Sequence, residues 1–322
     1  MVQTSRAGAD PGAAPPRPPG PGAPPAGDRA ARRSRRRGGV VPWLFLAPAL
    51  ILFLYFKFIP MAQGLKMSFY EVRTFLGDRY VGGENYRTIV TDRSFVDAMW
   101  HTVLLAVGTT AGSILLGLVL ALLVEGQARH LWLVRTAAFL PVVTTMAVVA
   151  EVWRIMYYPA ADGPLNTIIG WLGVAPQPYL ADEHSSLASI LAVGVWRGAP
   201  YDMMIILAGL AGVDRTLYEA AAVDGAATWR RFRHVTMPAL GPVFGILFTL
   251  AAIRGLRVFT EVFLLTNGAP NGSTEVLMTL IYKLGLQRGE LGIAAAGSIV
   301  LFAATAVLTV CVRLLRRRES LG

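Results

Sequence analysis

Residues 217–238 read Leu-Tyr-Glu-Ala-Ala-Ala-Val-Asp-Gly-Ala-Ala-Thr-Trp-Arg-Arg-Phe-Arg-His-Val-Thr-Met-Pro. The alanines give Leu217 to Val223 high helix propensity. Asp224-Gly225 follows as a turn, because glycine accepts the positive φ that a helix end or reversal needs. A second short helix is predicted over Ala226 to His234. It sets Arg230, Arg231 and Arg233 around one end and Trp229 and Phe232 on another face. Pro238 opens the following helix, where its missing N–H costs little. The expected result is a helix-turn-helix of small residues that another protein can approach closely.

On both sides of this segment the chain is apolar. Hydrophobic residues make up 54% of the 322 and charged residues only 16%, against roughly 25% charged in ordinary soluble domains. The deficit predicts a bilayer as solvent and argues against a soluble enzyme. Stretches near the roughly 20 residues that cross a bilayer core recur along the sequence. They cover about Val41 to Phe58, His101 to Val124, Leu131 to Trp153, Leu187 to Ala211, Leu240 to Leu265 and Ile293 to Val312. Gly108, Gly112 and Gly117, with Gly194 and Gly198, suit close helix packing in lipid. The fold class is therefore an all-α membrane protein of six spans.

The net charge of +10 resides largely in predicted connections. Arg129 and Arg135 follow the second span, Arg215, Arg230, Arg231 and Arg233 the fourth, and Arg313, Arg316, Arg317 and Arg318 the sixth. By the positive-inside rule these segments and both termini are cytoplasmic, and no nucleic-acid partner is needed to explain the charge. Eight of the twenty prolines lie between Pro11 and Pro25, so residues 1–39 read as a disordered, Pro- and Arg-rich tail whose arginines meet anionic lipid headgroups. Residues 40–318 form the six-span domain, with the cytoplasmic loop at 212–238 and a short tail at 319–322. One cysteine and four scattered histidines offer no disulfide and no metal site.

Glu219-Ala220-Ala221, three residues, Gly225, nine residues, then Val235-Thr236-Met237-Pro238 resembles the EAA loop of bacterial ATP-binding-cassette importer permeases of the type I fold. Only Met237 departs, where the pattern has Leu, and that swap conserves volume. Further stretches resemble the carbohydrate-uptake branch, of the maltose- and glycerol-3-phosphate-type first permease. They are Pro42-Trp43-Leu44-Phe45-Leu46-Ala47-Pro48-Ala49, Tyr80-Val81-Gly82-Gly83-Glu84-Asn85-Tyr86, Val195-Trp196-Arg197-Gly198-Ala199-Pro200-Tyr201 and Leu265-Thr266-Asn267-Gly268-Ala269-Pro270. In the last, Ala269 stands where the pattern usually has Gly. The resemblance runs from about Pro42 to Leu315.

What the resemblance implies is a multi-pass subunit of the bacterial inner membrane with several partners. These are a second homologous permease, a cytoplasmic ATP-binding subunit dimer and an extracytoplasmic sugar-binding protein. Glu219, Ala220, Ala221, Asp224, Gly225 and Pro238 would form the coupling element that docks on the ATPase, and the cargo would be a mono- or oligosaccharide. Glycerol 3-phosphate, or a secondary transporter without an ATPase, are the alternatives. The chain has three lysines, Lys57, Lys66 and Lys283, and none follows glycine as a phosphate-binding loop requires. It is therefore expected to be no enzyme and to hold no cofactor or metal.

Charges inside the spans stand out against this background. Arg254, Arg257 and Glu261 are spaced by three and four, which predicts one helical face. Arg254 would lie about 20 Å along its span at 1.5 Å per residue, where a lipid-facing guanidinium is costly. Two readings stand: a polar stripe lining the substrate pathway, or an Arg257–Glu261 pair that only packs the helix, with Arg254 left unpartnered. Arg197 and Tyr201, beside Asp202, form a second candidate cluster in the fourth span.

Overall fold

The computed structural model describes residues 41–73, 77–126 and 131–319. The expected tail at 1–39, Arg129 and residues 320–322 lie outside them. The chain divides into two compact units, one ending at Met61 and one beginning at Ala62. Helix α1 (Pro42–Met67) runs across that boundary and tolerates Pro48 and Pro60 with a π-helical turn at Leu54–Phe58. Within that turn Lys57 lies 4.8 Å from the Phe53 ring.

In the second unit a two-stranded hairpin comes first, β1 (Tyr70–Glu71) antiparallel to β2 (Arg79–Tyr80). Its Glu71 carboxylate pairs with Arg73 at 2.8 Å, and the Arg73 guanidinium holds that carboxyl below the usual range. Helix α2 (Glu84–Thr91) follows, then the long α3 (Arg93–Val124), capped by Asp92, which accepts from the Ser94 N–H. Asn85 is buried and donates to the carbonyls of Ser68 and Tyr70. Tyr86 meets Ser68 at 2.7 Å. The Tyr80–Tyr86 stretch thus braces the hairpin.

The third apolar stretch is not one helix. It splits into α4 (Leu131–Val143) and α5 (Met146–Met156), bent by 99°. Pro141 cannot donate to the preceding turn, the run Val142 to Thr145 is β-branched and resists helix, and Thr145 is extended, with ψ 142°. Helix α6 (Pro164–Gly170) leads to α7 (Glu183–Ala211), capped by Asp182. Then come α8 (Arg215–Val223) and α9 (Thr228–Ala239), which meets α10 (Gly241–Leu256) at 62°. A short α11 (Thr260–Leu265), α12 (Leu277–Tyr282) with a π turn to Gln287, and α13 (Leu291–Glu319) complete the chain. Among the described residues four helices are long and apolar enough to cross a membrane, or six spans if each bent pair counts as one.

The fifth stretch also departs from expectation. Its helix ends at Leu256, so Arg254, Arg257 and Glu261 do not share one helical face. Arg257 and Val258 donate to carbonyls only three residues back, which closes the helix. Phe259, stacked on Phe263 at 5.1 Å and edge-on to Tyr282 at 5.5 Å, then anchors the start of α11.

Helices α3 and α7 form the largest helix–helix interface. The glycines singled out in the sequence build it. A methyl on Gly112 would stand 2.5 Å from Val195, on Gly194 2.8 Å from Thr109, and on Gly117 2.9 Å from the Ala199 carbonyl. Gly255 similarly brings α10 against α3, where a Cβ would lie 2.6 Å from the Ala106 Cα. Leu105, Val149, Ile190, Val193, Val262 and Val276 bury one apolar cluster above this contact, and Ala121, Met203, Ile206, Leu240 and Leu247 another at its far end.

Because backbone cannot yield as a side-chain tip does, Gly255→Ala is expected to cost about 1–3 kcal/mol by overpacking. Gly170→Ala, with nothing within 4 Å of the added carbon, should be neutral or slightly stabilising. Thermal unfolding of the two variants in lipid nanodiscs checks this; equal midpoints would refute the close α3–α10 contact.

Candidate functional site

Two regions gather the residues singled out in the sequence. The first is a cavity of about 500 Å³ between α3, α7, α10 and the connection to α11. Its polar lining is Thr109, Thr110 and Ser113 from α3, Arg197 and Tyr201 from α7, and Arg254, Arg257, Thr260 and Glu261 from the α10–α11 segment. The two clusters that were separate in the sequence are therefore one site.

The pairing inside it differs from the expected one. Arg254 is not unpartnered: its Nη2 donates to Asp202 Oδ1 at 2.9 Å. Asp202 is fully buried and also accepts from Ser113 Oγ at 2.7 Å. The Arg254 guanidinium lies 4.9 Å above the Tyr201 ring, a cation–π arrangement that holds its plane. Glu261 does not pair with Arg257 but lies 3.6 Å from Arg197 Nη1. Arg197 Nε and Thr110 Oγ1 are buried without a hydrogen-bond partner.

Physical necessity explains this geometry. A carboxylate at this depth costs several kcal/mol unless it is paired and hydrogen-bonded. Asp202 meets the requirement with a hydroxyl from α3 and a guanidinium from α10. Asp202 was named in the sequence only as a neighbour of Arg197 and Tyr201, and Ser113 and Thr110 were missed. The available signal was a lone acid in an apolar span, which has to find partners.

The second region is the segment from α8 to α9. Asp214 caps α8 by accepting from the Thr216 N–H at 2.9 Å. That bond and the Thr216 hydroxyl hold its carboxyl below the usual range, so the cap's stabilisation is full above the usual carboxylate range and is lost as the pH falls below it, through the lowered value. Gly225 has φ +72° after Asp224 ends the helix. The Tyr218 hydroxyl meets Thr236 at 3.0 Å and ties α8 to α9, while Arg231 Nε donates to the Ala226 carbonyl at 2.7 Å. Helix α9 begins at Thr228, two residues after the expected start, because the Ala226 N–H still bonds back to Ala221. Glu219, Ala220, Asp224, Gly225 and Pro238 are exposed and Ala221 is half-buried. Val223 is 89% and Trp229 70% exposed, and Phe232 packs against one face of the Trp229 ring at 5.3 Å.

The turn-rich segment after α11 is held rigidly. Lys283 donates to the Asn267 carbonyl at 2.8 Å and pairs with Glu275. Asn271 donates to Glu183, and Ser186 meets Ser273 at 3.1 Å.

Residues 113–320 match the family model described as "Binding-protein-dependent transport system inner membrane component". The chain is 31% identical over 261 residues to the trehalose/maltose transport system permease protein MalF of Thermococcus litoralis, covering 81% of this chain and 88% of that one. It is 32% identical over 263 residues to the arabinooligosaccharides transport system permease protein AraP of Bacillus subtilis, covering 81% and 83%. A chain of the bacterial alginate ABC transporter, solved in complex with alginate pentasaccharide-bound periplasmic protein, is similar in fold. It has a TM-score of 0.76 at 25% identity, covering 89% of this chain and 97% of that one.

Removing Arg254 alone should leave the buried Asp202 carboxylate without a counter-charge. Arg254→Leu is expected to destabilise the chain by about 3 kcal/mol, and adding Asp202→Asn to recover most of that loss. Thermal unfolding in nanodiscs measures both; a double variant no more stable than the single one would contradict the pairing.

Proposed function

Because the chain belongs to the family of binding-protein-dependent transport system inner membrane components, we propose that it forms half of the translocation pathway of an ATP-driven importer for a mono- or oligosaccharide. The observation that carries this is the cavity. Hydroxyls and paired arginines converge there in the middle of an otherwise apolar helix bundle, and two buried polar atoms lack partners. Polyhydroxylated cargo satisfies such groups. The named cargoes of the relatives MalF and AraP support the same substrate class, and the periplasmic protein seated on the alginate transporter supports delivery by a binding protein. Arg197, Tyr201, Arg254, Arg257 and Glu261 are the substrate-pathway residues in this reading.

The multi-pass domain covers residues 40–318, with both termini on the cytoplasmic side. A second homologous permease completes the pathway. The loop 212–238 is the coupling element. The exposed Glu219 meets a basic group of an ATP-binding subunit, Ala220 and Ala221 allow close approach, and Asp224-Gly225 sets the turn. Val223 and Trp229 are covered by that partner, and Pro238 starts the span that is moved. When two ATP-binding subunits close, this tied helix pair is carried as a unit, and the spans rock between inward-open and outward-open states. Hydrolysis belongs to the separate subunit.

Replacing Glu219 with Arg and Gly225 with Val places a wrong charge and a β-branched residue at a positive φ. Affinity for the ATP-binding subunit should fall by about tenfold or more, as for loss of an interface hot spot. Co-purification and ATPase stimulation by loaded binding protein measure it. Wild-type stimulation in the double variant would refute the coupling role.

A further inference from the structure

We infer that the cavity takes a saccharide bearing an acidic group, a carboxylate or a phosphate ester, and that Arg257 receives that group. The inference rests on the saccharide-importer reading and deepens it.

Charge is the first observation. Arg197, Arg254 and Arg257 face the cavity, and the acids beside them are Glu261 and Asp202. Each acid is taken: Asp202 by Arg254 at 2.9 Å and Glu261 by Arg197 at 3.6 Å. Among the described residues no carboxylate lies within 4 Å of Arg257, whose side chain is exposed in the cavity wall. One cation is left over in the cavity wall.

Hydrogen-bonding capacity is the second. The buried Arg197 Nε has no partner and can only donate, and the buried Thr110 hydroxyl is unpartnered as well. Arg257 adds five more donors. Neutral sugar hydroxyls donate as well as accept. A carboxylate or phosphate only accepts. It also matches the guanidinium fork in two parallel bonds, which a hydroxyl does not.

The test uses the complex captured through a tag on the full chain and held in nanodiscs of zwitterionic lipid. Glucose, glucuronate, glucose 6-phosphate and inorganic phosphate are titrated by calorimetry. At least one acidic sugar is expected to bind tenfold or more tighter than glucose, and which one distinguishes carboxylate from phosphate. Arg257→Gln should reduce that preference to near unity, and Arg257→Lys, a charge without the fork, should keep part of it. If the Gln variant does not fold, the Lys variant and salt carry the test, since salt should weaken the acidic sugar and leave glucose unchanged. Equal affinity for glucose and both acids, or a preference that survives Arg257→Gln, overturns the inference and leaves the saccharide reading standing. Inorganic phosphate binding as tightly as glucose 6-phosphate also overturns it. Saturable binding of no sugar at all removes the saccharide reading, and the inference with it.

Discussion

Asp202 sits fully buried in the middle of α7, and much of the bundle is arranged around keeping its carboxylate satisfied. In an apolar bundle no bulk water can solvate it, so partners have to come from neighbouring helices. Ser113 arrives from α3 and Arg254 from α10. Three helices are thereby fixed in one register by a single charged group. The surrounding glycines allow it, because Gly117 and Gly255 let α7 and α10 approach the backbone of α3 closely enough for such short side chains to reach. The ion pair adds little net stability by itself. Its effect is specificity, since any other register strands a charge.

The same economy of packing stiffens the two ends of the bundle. Tyr218–Thr236 and Arg231–Ala226 make α8 and α9 one piece, the stiffness that the proposed coupling role requires. At the other end, the segment from Asn267 to Glu275 is pinned by Lys283 and by Glu183 and Ser186 at the start of α7. Between the two, α4 and α5 break by 99° and α10 ends before α11. Both interruptions border the cavity, with Val142 beside one and Arg257 beside the other. Irregular backbone at this depth is tolerated where it lines a cavity.

Legibility from sequence followed the range of the interactions. The loop Leu217 to Pro238 was readable nearly residue by residue, because its turn and caps depend on near neighbours. The glycines of α3 and α7 were readable as packing residues, though not which partner each would meet. The Arg254, Arg257 and Glu261 stripe was misread. Spacing of three and four describes a face only while the helix continues, and α10 stops at Leu256. Pro141 was visible, yet the sharp bend after it depends on Thr145 adopting an extended backbone in its tertiary setting.

The sequence by itself determined the solvent, the number of apolar stretches and the turn and caps of the loop from Leu217 to Pro238. Each of these rests on composition or on residues within a few positions of one another. Only the tertiary structure decided the charge pairing, in which Arg254 chose Asp202 and Glu261 chose Arg197. Electrostatic partners in an apolar bundle are selected by distance across helices, and periodicity along one helix carries no information about what stands on the next.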